Sequence, residues 1–255
     1  MNSIPSTSEM QQAYLQRDPS YDGLFFVGVR TTGIFCRPTC PARKPRPENV
    51  EYLRTVRAAL AAGYRPCKRC RPLARAFGEA PGEHRDSECV FLSWLRSPLG
   101  PLVAGATAKG ICLLEFTDRR MLEAEFAAVR KMFNVPLVPG SNDHLVRLKV
   151  ELAGYFGGSV QRFTVPLVYP GSPFQRRVWE ELLAIPYGER RTYQQIALAV
   201  GEPKAARAVG RANGLNRIAI LIPCHRLVNK NGQLAGYGGG LWRKQFLLDL
   251  ERSNR

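Results

Sequence analysis

Four cysteines in two close pairs place the tightest constraint on what this chain can fold into. Cys36 and Cys40 are spaced C-x3-C, and Cys67 and Cys70 are spaced C-x2-C. Two such pairs with a helix between them bring four thiolates to one tetrahedral point, which is the arrangement zinc takes. The stretch from Thr55 to Gly63 supplies that helix, with a threonine cap, an alanine-rich interior and a glycine stop. Two disulfides, or cysteines scattered through a core, are the competing readings. The N-terminus M-N-S-I-P-S-T-S-E is polar, no apolar run is long enough to span a bilayer, and a cytoplasmic protein is expected. In that compartment close cysteine pairs are metal ligands or nucleophiles rather than disulfides. Zn2+ is therefore the expected cofactor, and in so small a domain it contributes on the order of 10 kcal/mol to folding.

Charge narrows the partner. Lys and Arg number 37 against 21 Asp and Glu in 255 residues, a formal net charge of +16. That excess suits a polyanion, and nucleic acid is the first candidate; a membrane surface is the competing reading, but with no apolar run long enough to span a bilayer no membrane partner is expected. The basic clusters fall at Arg43–Arg46, Arg65–Arg75 and Arg207–Arg217. The length allows about two domains.

The second chemically loaded stretch is I-L-I-P-C-H-R, Ile220 to Arg226. It reads as an apolar strand that ends at Pro223, where the proline removes a backbone donor, and delivers the Cys224 thiol to a buried place. An ordinary thiol is mostly un-ionised at pH 7, and only the thiolate attacks. The adjacent His225 can take the proton, so the pair is the minimum for an activated sulfur nucleophile. A buried core cysteine beside a surface histidine is the bland alternative.

Other elements follow from periodicity and turn residues. Helices are expected near Glu9–Arg17 and over Met121–Phe133 and Asp143–Phe156, with strands at Leu24–Arg30, Val90–Leu95, Pro101–Thr107, Ile111–Phe116 and Phe163–Val168. Residues 77–88 read as a linker. A helix begins with Pro173 and runs to Ile185. Two short helices, Tyr193–Ala199 and Lys204–Asn213, flank Gly201-Glu202-Pro203 with helix-turn-helix spacing, the second carrying Lys204, Arg207 and Arg211. The loop Gly236–Gly240 allows close approach of a ligand. The last helix, Leu241–Glu251, is expected to bury Trp242, Phe246 and Leu250. Cys89 and Cys112 have no partner at metal spacing and read as structural.

Two resemblances organise these features. The run from Asp18 to Pro72, including D-G-L-F-F-V-G-V-R-T-T-G-I-F-C-R-P-T-C-P-A-R and G-Y-R-P-C-K-R-C-R-P, resembles the N-terminal domain of the Ada-type DNA-repair methyltransferases. That resemblance implies that Cys36, one of four zinc ligands, takes a methyl group from a DNA methylphosphotriester. It also implies that Thr32, Arg43 and Arg65 lie at the phosphate backbone. Pro41 stands where some members carry a further basic residue. Residues 90–255, through I-P-C-H-R, the G-Y-G-G-G loop and Glu251, resemble the O6-alkylguanine-DNA alkyltransferases. Here the resemblance implies Cys224 as alkyl acceptor, His225 as its base through a water, and Glu251 as the carboxylate that orients the histidine. By the same resemblance Asn216 is expected to brace the turn carrying the site, Tyr193 and Arg207 to rotate the target nucleotide and fill its gap, and Tyr237 to line the guanine pocket. Gly238 replaces a serine that in some relatives contacts the guanine oxygen, which leaves backbone N–H groups to do that work.

The implied fold class is α+β. A zinc domain spans residues 1–76 and a linker 77–88. A ribonuclease-H-like α+β subdomain follows over 89–168, and a winged-helix/helix-turn-helix alkyltransferase domain over 169–255. The implied activity is single-use repair of O6-alkylguanine, with O4-methylthymine as a further substrate, and of phosphotriesters, by a monomer on alkylated duplex DNA. A methylation-sensing transcriptional regulator is the alternative, and the space between the two halves is too short for the AraC-type segment that Ada itself carries there. A zinc-stabilised DNA-binding module without chemistry is the third reading.

Overall fold

A hairpin and two flanking strands bring the four clustered cysteines together, while a second, larger core carries Cys224. The computed structural model describes residues 5–73 and 89–255, and the expected linker 77–88 lies outside them. Two compact units emerge, Met1–Cys89 with Arg120–Pro139, and Val90–Arg119 with Gly140–Arg255.

In the first unit, helix α1 (Thr7–Gln16) starts at Ser6, whose hydroxyl and the Glu9 carboxylate cap each other's backbone donors. Its Met10, Ala13 and Tyr14 pack on Phe25 and Val27. Strand β1 (Phe26–Val29) pairs antiparallel with β2 (Ile34–Cys36) on one side and β3 (Val50–Leu53) on the other. Helix α2 (Val56–Ala61) is capped by Thr55 and stops before Gly63, which has φ +82°, as the sequence predicts. Strand β4 (Arg65–Pro66) then lies parallel to β2 and completes the order β3-β1-β2-β4.

The second unit opens with an antiparallel meander of β5 (Val90–Leu95), β6 (Leu102–Thr107) and β7 (Gly110–Phe116). Helix α3 (Leu122–Phe133) and a short unforeseen strand β8 (Leu137–Pro139) group with the first unit. Helix α4 (Asp143–Phe156) has the expected bounds and is capped by Asn142. The strand expected at Phe163–Val168 does not form: only one bridge joins Leu167 to Ile111. Only its end reaches β7, through the Val168 N–H on the Ile111 carbonyl at 2.8 Å, whereas the N–H groups of Thr164 (2.8 Å) and Val165 (3.2 Å) donate to the Glu151 carboxylate.

Helix α5 (Pro173–Leu183) begins with a Ser172/Gln175 capping box and a proline at its first turn. Helix α6 (Tyr193–Ala199) is capped in the same way by Thr192 and Gln195, and α7 (Ala206–Gly214) follows after a turn through Gly201. Lys204 falls in that turn rather than on the second helix. The helix starts later because residues 202–205 form a turn of their own, in which the Ala205 N–H donates to the Glu202 carbonyl at 2.9 Å. Trp179 on α5 is buried and donates to the Ala212 carbonyl at 3.0 Å, which fixes α7 on the core. Strands β9 (Arg191–Thr192) and β10 (Leu227–Val228) form a short parallel ladder.

Two further expectations are corrected. Helix α8 (Leu241–Ser253) buries Arg243, Lys244, Leu247, Leu248 and Glu251, while Trp242 is 58% exposed, Phe246 is exposed and Leu250 only partly buried. The buried face is rotated by one residue because its charged members find partners inside. Arg243 donates to the Leu99 and Gly239 carbonyls and to Asp118. The run Ile220–Pro223 is not a strand. Only Ile218 bridges to Leu114 of β7, after which the backbone turns on itself, with Leu221 N–H donating to Ala219 (2.8 Å) and Cys224 N–H to Ile222 (2.7 Å). The run is apolar because it is buried, not because it is extended.

Candidate active sites

The four cysteines of the first unit converge as the spacing predicts. Cys36 ends β2, and the N–H of Cys67 donates to the Phe35 carbonyl at 2.9 Å, so the β2–β4 ladder sets one pair beside the other. The four sulfurs are buried and lie within 4.8 Å of one another. Zinc–sulfur bonds of about 2.3 Å in a tetrahedron need sulfurs roughly 3.8 Å apart, so this donor set fits zinc. Four thiols this close cannot all ionise unaided. The Cys70 hydrogen bond, with burial behind it, pushes the Cys36 thiol far up, and the same bond draws Cys70 down to about 6. The Arg37 N–H also donates to the Cys70 sulfur at 3.3 Å. Asp22 holds the loop between the first two ligands, pairing with Arg37 at 3.5 Å and accepting from the Thr39 hydroxyl at 2.8 Å. Thr32, Arg43 and Arg65 are exposed on the same unit.

In the second unit Cys224 sits on a single turn of 3-10 helix, Cys224–Arg226, held by a strained backbone. Ile220 has φ +72°, a conformation a β-branched side chain rarely adopts. It is the centre of a three-residue turn of the uncommon kind. Asn216 over-determines that turn: its Oδ1 accepts from Ile218 N–H and its Nδ2 donates to the Ile222 carbonyl, both at 3.0 Å. Strain stored next to a nucleophile fits a position fixed for chemistry.

Behind the thiol lies a buried charge network. Glu251 is fully buried and accepts at Oε1 from His225 Nε2 (2.8 Å), the Tyr155 hydroxyl (2.7 Å) and Arg226 Nη2 (3.0 Å). Its Oε2 accepts from Arg226 Nε (2.9 Å) and the Gly188 N–H (3.1 Å). Burial alone would raise this carboxyl, but the His225 and Arg226 contacts outweigh it and hold the group well below the usual carboxylate range. Burial lowers the His225 pKa, against the pull of Glu251. The histidine is thus neutral at pH 7, with Nε2–H donated to Glu251 and Nδ1 left as the acceptor; Nδ1 bonds no described group. Burial pushes the Cys224 thiol up to about 11, so it needs that base.

Tyr193, Asn216, Cys224, Tyr237 and Gly238 all border one cavity of about 290 Å³. His225 and Glu251 are buried away from it. Arg207, Arg211 and Lys204 do not border it and are exposed around α7. Residues not foreseen are Arg226, Tyr155 and Gly188 on the carboxylate, Glu115, Arg119 and Asn213 on the cavity wall, and Lys244. The Lys244 ammonium is buried, donates to the Ala235 carbonyl at 2.8 Å, and is lowered by burial to about 8. Arg226 carried a readable signal: a buried carboxylate facing a neutral histidine still needs a cation, and Arg226 follows that histidine directly.

Comparison with known proteins agrees with both halves. The family described as "Metal binding domain of Ada" matches residues 9–72, and that described as "6-O-methylguanine DNA methyltransferase, DNA binding domain" matches residues 173–253. The bifunctional transcriptional activator/DNA repair enzyme Ada of Escherichia coli is 32% identical, covering 95% of this chain and 96% of that protein. That alignment runs over 345 positions, more than the 255 residues here, so Ada carries a stretch that this chain lacks. The methylated-DNA–protein-cysteine methyltransferase of Methanosarcina barkeri is 40% identical over 65% of this chain and 99% of its own length. A crystal structure of Mycobacterium tuberculosis OGT in complex with DNA superposes with a TM-score of 0.56 at 39% identity, over 65% of this chain and 94% of that one. This chain belongs to the family of Ada and the methylated-DNA–protein-cysteine methyltransferases.

Proposed function

We propose that this chain is a single-use DNA-repair methyltransferase with two acceptor sulfurs, Cys224 for O6-alkylguanine and O4-methylthymine, and Cys36 for methylphosphotriesters. The observation that carries the reading is the placement of Cys224 on the cavity wall beside a neutral His225 anchored by Glu251. The target carbon lies on a base oxygen inside a duplex, so the nucleotide must swing out, at a cost of a few kcal/mol. Arg207, exposed on α7, fills the gap, while Lys204, Arg211 and the net charge of +16 hold the phosphates. His225 Nδ1 takes the Cys224 proton through a water, and the thiolate attacks the alkyl carbon. The new S–C bond forms as the C–O6 bond breaks, and its electron pair stays on the guanine. Tyr193 donates a proton to the departing base and recovers one from the relay, so the thiol proton ends on guanine. The product thioether is a poor leaving group, which makes each sulfur single-use.

At the first site bound zinc keeps the four sulfurs as thiolates, which leaves Cys36 nucleophilic toward a phosphate methyl. Thr32, Arg43 and Arg65 hold the backbone there. The protein acts as a monomer in the cytoplasm, and its functional divisions are a phosphotriester domain over residues 1–76, an α+β subdomain over 89–168 and a DNA-binding alkyltransferase domain over 169–255. Tryptic mass spectrometry after mixing zinc-loaded protein with methylated duplex DNA tests both sites. The expected result is one added methyl on each of the Cys224 and Cys36 peptides. An unmodified Cys224 peptide defeats the main claim, and Cys36 is scored separately.

A further inference from the structure

The cavity that holds Cys224 has a wall whose role no part of the transfer mechanism uses. Glu115, at the end of β7, is buried; its Oε1 accepts from the Phe116 N–H at 2.9 Å and its Oε2 pairs with Arg119 Nη1. Arg119 Nη2 donates to the Gly214 carbonyl, the last residue of α7, at 3.0 Å. The guanidinium is thereby fixed between a strand and a helix end, with its side chain only 10% exposed. It lies against Gly238: a Cβ built there would stand 2.8 Å from Arg119 Cζ and 3.0 Å from Nη1. The end of an arginine usually moves aside easily, but this one is tied at both nitrogens. Arg119 therefore fills the space that a side chain at 238 would take, on a cavity of only about 290 Å³, near the lower end of the roughly 300–1,000 Å³ usual for small-molecule sites.

Resting on the reading of Cys224 as alkyl acceptor, we propose that Arg119, clamped by Glu115 and the Gly214 carbonyl, is the wall that limits the size of the O6 substituent this pocket admits. Methyl fits in front of the guanidinium. A benzyl-sized group has to displace it, which breaks an ion pair buried at the Glu115 end. Selection by a packed wall of this kind is worth about 10- to 200-fold.

The test uses full-length, zinc-loaded protein with duplexes carrying O6-methylguanine or O6-benzylguanine, and reads the rate of each transfer to the Cys224 peptide. The quantity scored is the benzyl-to-methyl rate ratio. Arg119→Ala is expected to raise it by about tenfold or more, and Glu115→Gln, which keeps shape but loosens the clamp, to raise it by less. Gly238→Ser is expected to lower transfer of both groups, and Arg119→Ala with Gly238→Ser to restore it. A loss of folding in Arg119→Ala leaves Glu115→Gln to decide. A ratio unchanged in whichever of these two variants folds overturns the wall while leaving the acceptor intact. Failure of the unaltered protein to methylate Cys224 overturns both.

Discussion

Cys36 and Cys224 are both buried sulfurs, 8% and 6% exposed, yet the chain prepares them in opposite ways. Cys36 sits among three other cysteines at the end of an inner strand of a small sheet, and the four sulfurs await a cation before all of them can ionise. Cys224 sits at the rim of a large apolar core as a protonated thiol, and what surrounds it is a proton acceptor already balanced by an ion pair. The first site gathers its ligands from within one short stretch of chain and leans on a metal for its stability. The second is assembled from segments far apart and leans on packing. The contrast predicts that each can be broken without the other.

Metal removal gives the largest effect. In the first unit the four buried cysteines form a cluster of their own beside the apolar residues, so zinc bound across them contributes on the order of 10 kcal/mol to the folding of that unit. Stripping the metal with a strong chelator is expected to abolish methylation of Cys36 and to leave that of Cys224 in place. Circular dichroism would then show partial, not total, loss of structure. A chelated protein that loses both activities together would mean that the two sites share one folding unit.

Next comes the carboxylate. Glu251→Ala leaves Arg226 buried without its partner, a change expected to cost about 3–5 kcal/mol in a denaturant melt of the second unit, and to stop transfer to Cys224 but not to Cys36. The pH dependence has a definite sign. Glu251 and His225 are both held below their ordinary values of 4.5 and 6.5. Their stabilisation is complete above pH 6.5 and is lost as pH falls through the depressed values. Cys224 runs the other way: raised from 9.0 to about 11, its contribution is present below pH 9 and lost as pH rises toward 11. In the proposed function His225 takes the Cys224 proton and must be neutral to do so, so the rate is expected to stay flat down to pH 6.5 and to fall only below it.

These two sites also differ in how far the sequence exposes them. The zinc ligands are legible because spacing alone brings them together, and the structure leaves that expectation unchanged. His225 is legible because it adjoins Cys224. The partners that set its protonation are not: Tyr155 lies 96 residues from Glu251 and Gly188 lies 63 away, and no local pattern connects them. The misplaced face of α8 has the same root. Periodicity ranks Trp242, Phe246 and Leu250 above Arg243, Lys244 and Glu251, because it cannot see that distant carbonyls and carboxylates await the charged ones. Likewise Ile220–Ile222 reads as a strand by composition, since apolar content reports burial and not backbone direction. The α+β class, the meander and most helix bounds come through because capping residues and alternation act locally.

Asn216→Ala is expected to be milder than the loss of Glu251. It removes two side-chain bonds from the turn around Ile220, worth about 1 kcal/mol each, and lets the strained φ relax. Transfer to Cys224 is expected to slow while the midpoint of unfolding shifts only modestly. An unchanged rate would mean that the turn holds its shape without the brace.

The smallest effects lie on the DNA-facing surfaces, where the two units again differ. Arg211 on α7 and Arg43 in the first unit are both exposed cations, and in the proposed function both meet phosphates. Replacing either with alanine removes one counterion-releasing contact, so the slope of log affinity against log salt is expected to fall by about 1. The partition between activities should differ, however. Arg211→Ala is expected to slow transfer to Cys224 at high salt and leave Cys36 methylation unmoved, and Arg43→Ala to do the reverse. Titration of binding to an undamaged duplex at several salt concentrations, paired with the two peptide masses, reads both quantities. If either substitution slowed both transfers equally, the two surfaces would be acting on DNA as one, and the independence argued from their separate cores would not extend to the substrate.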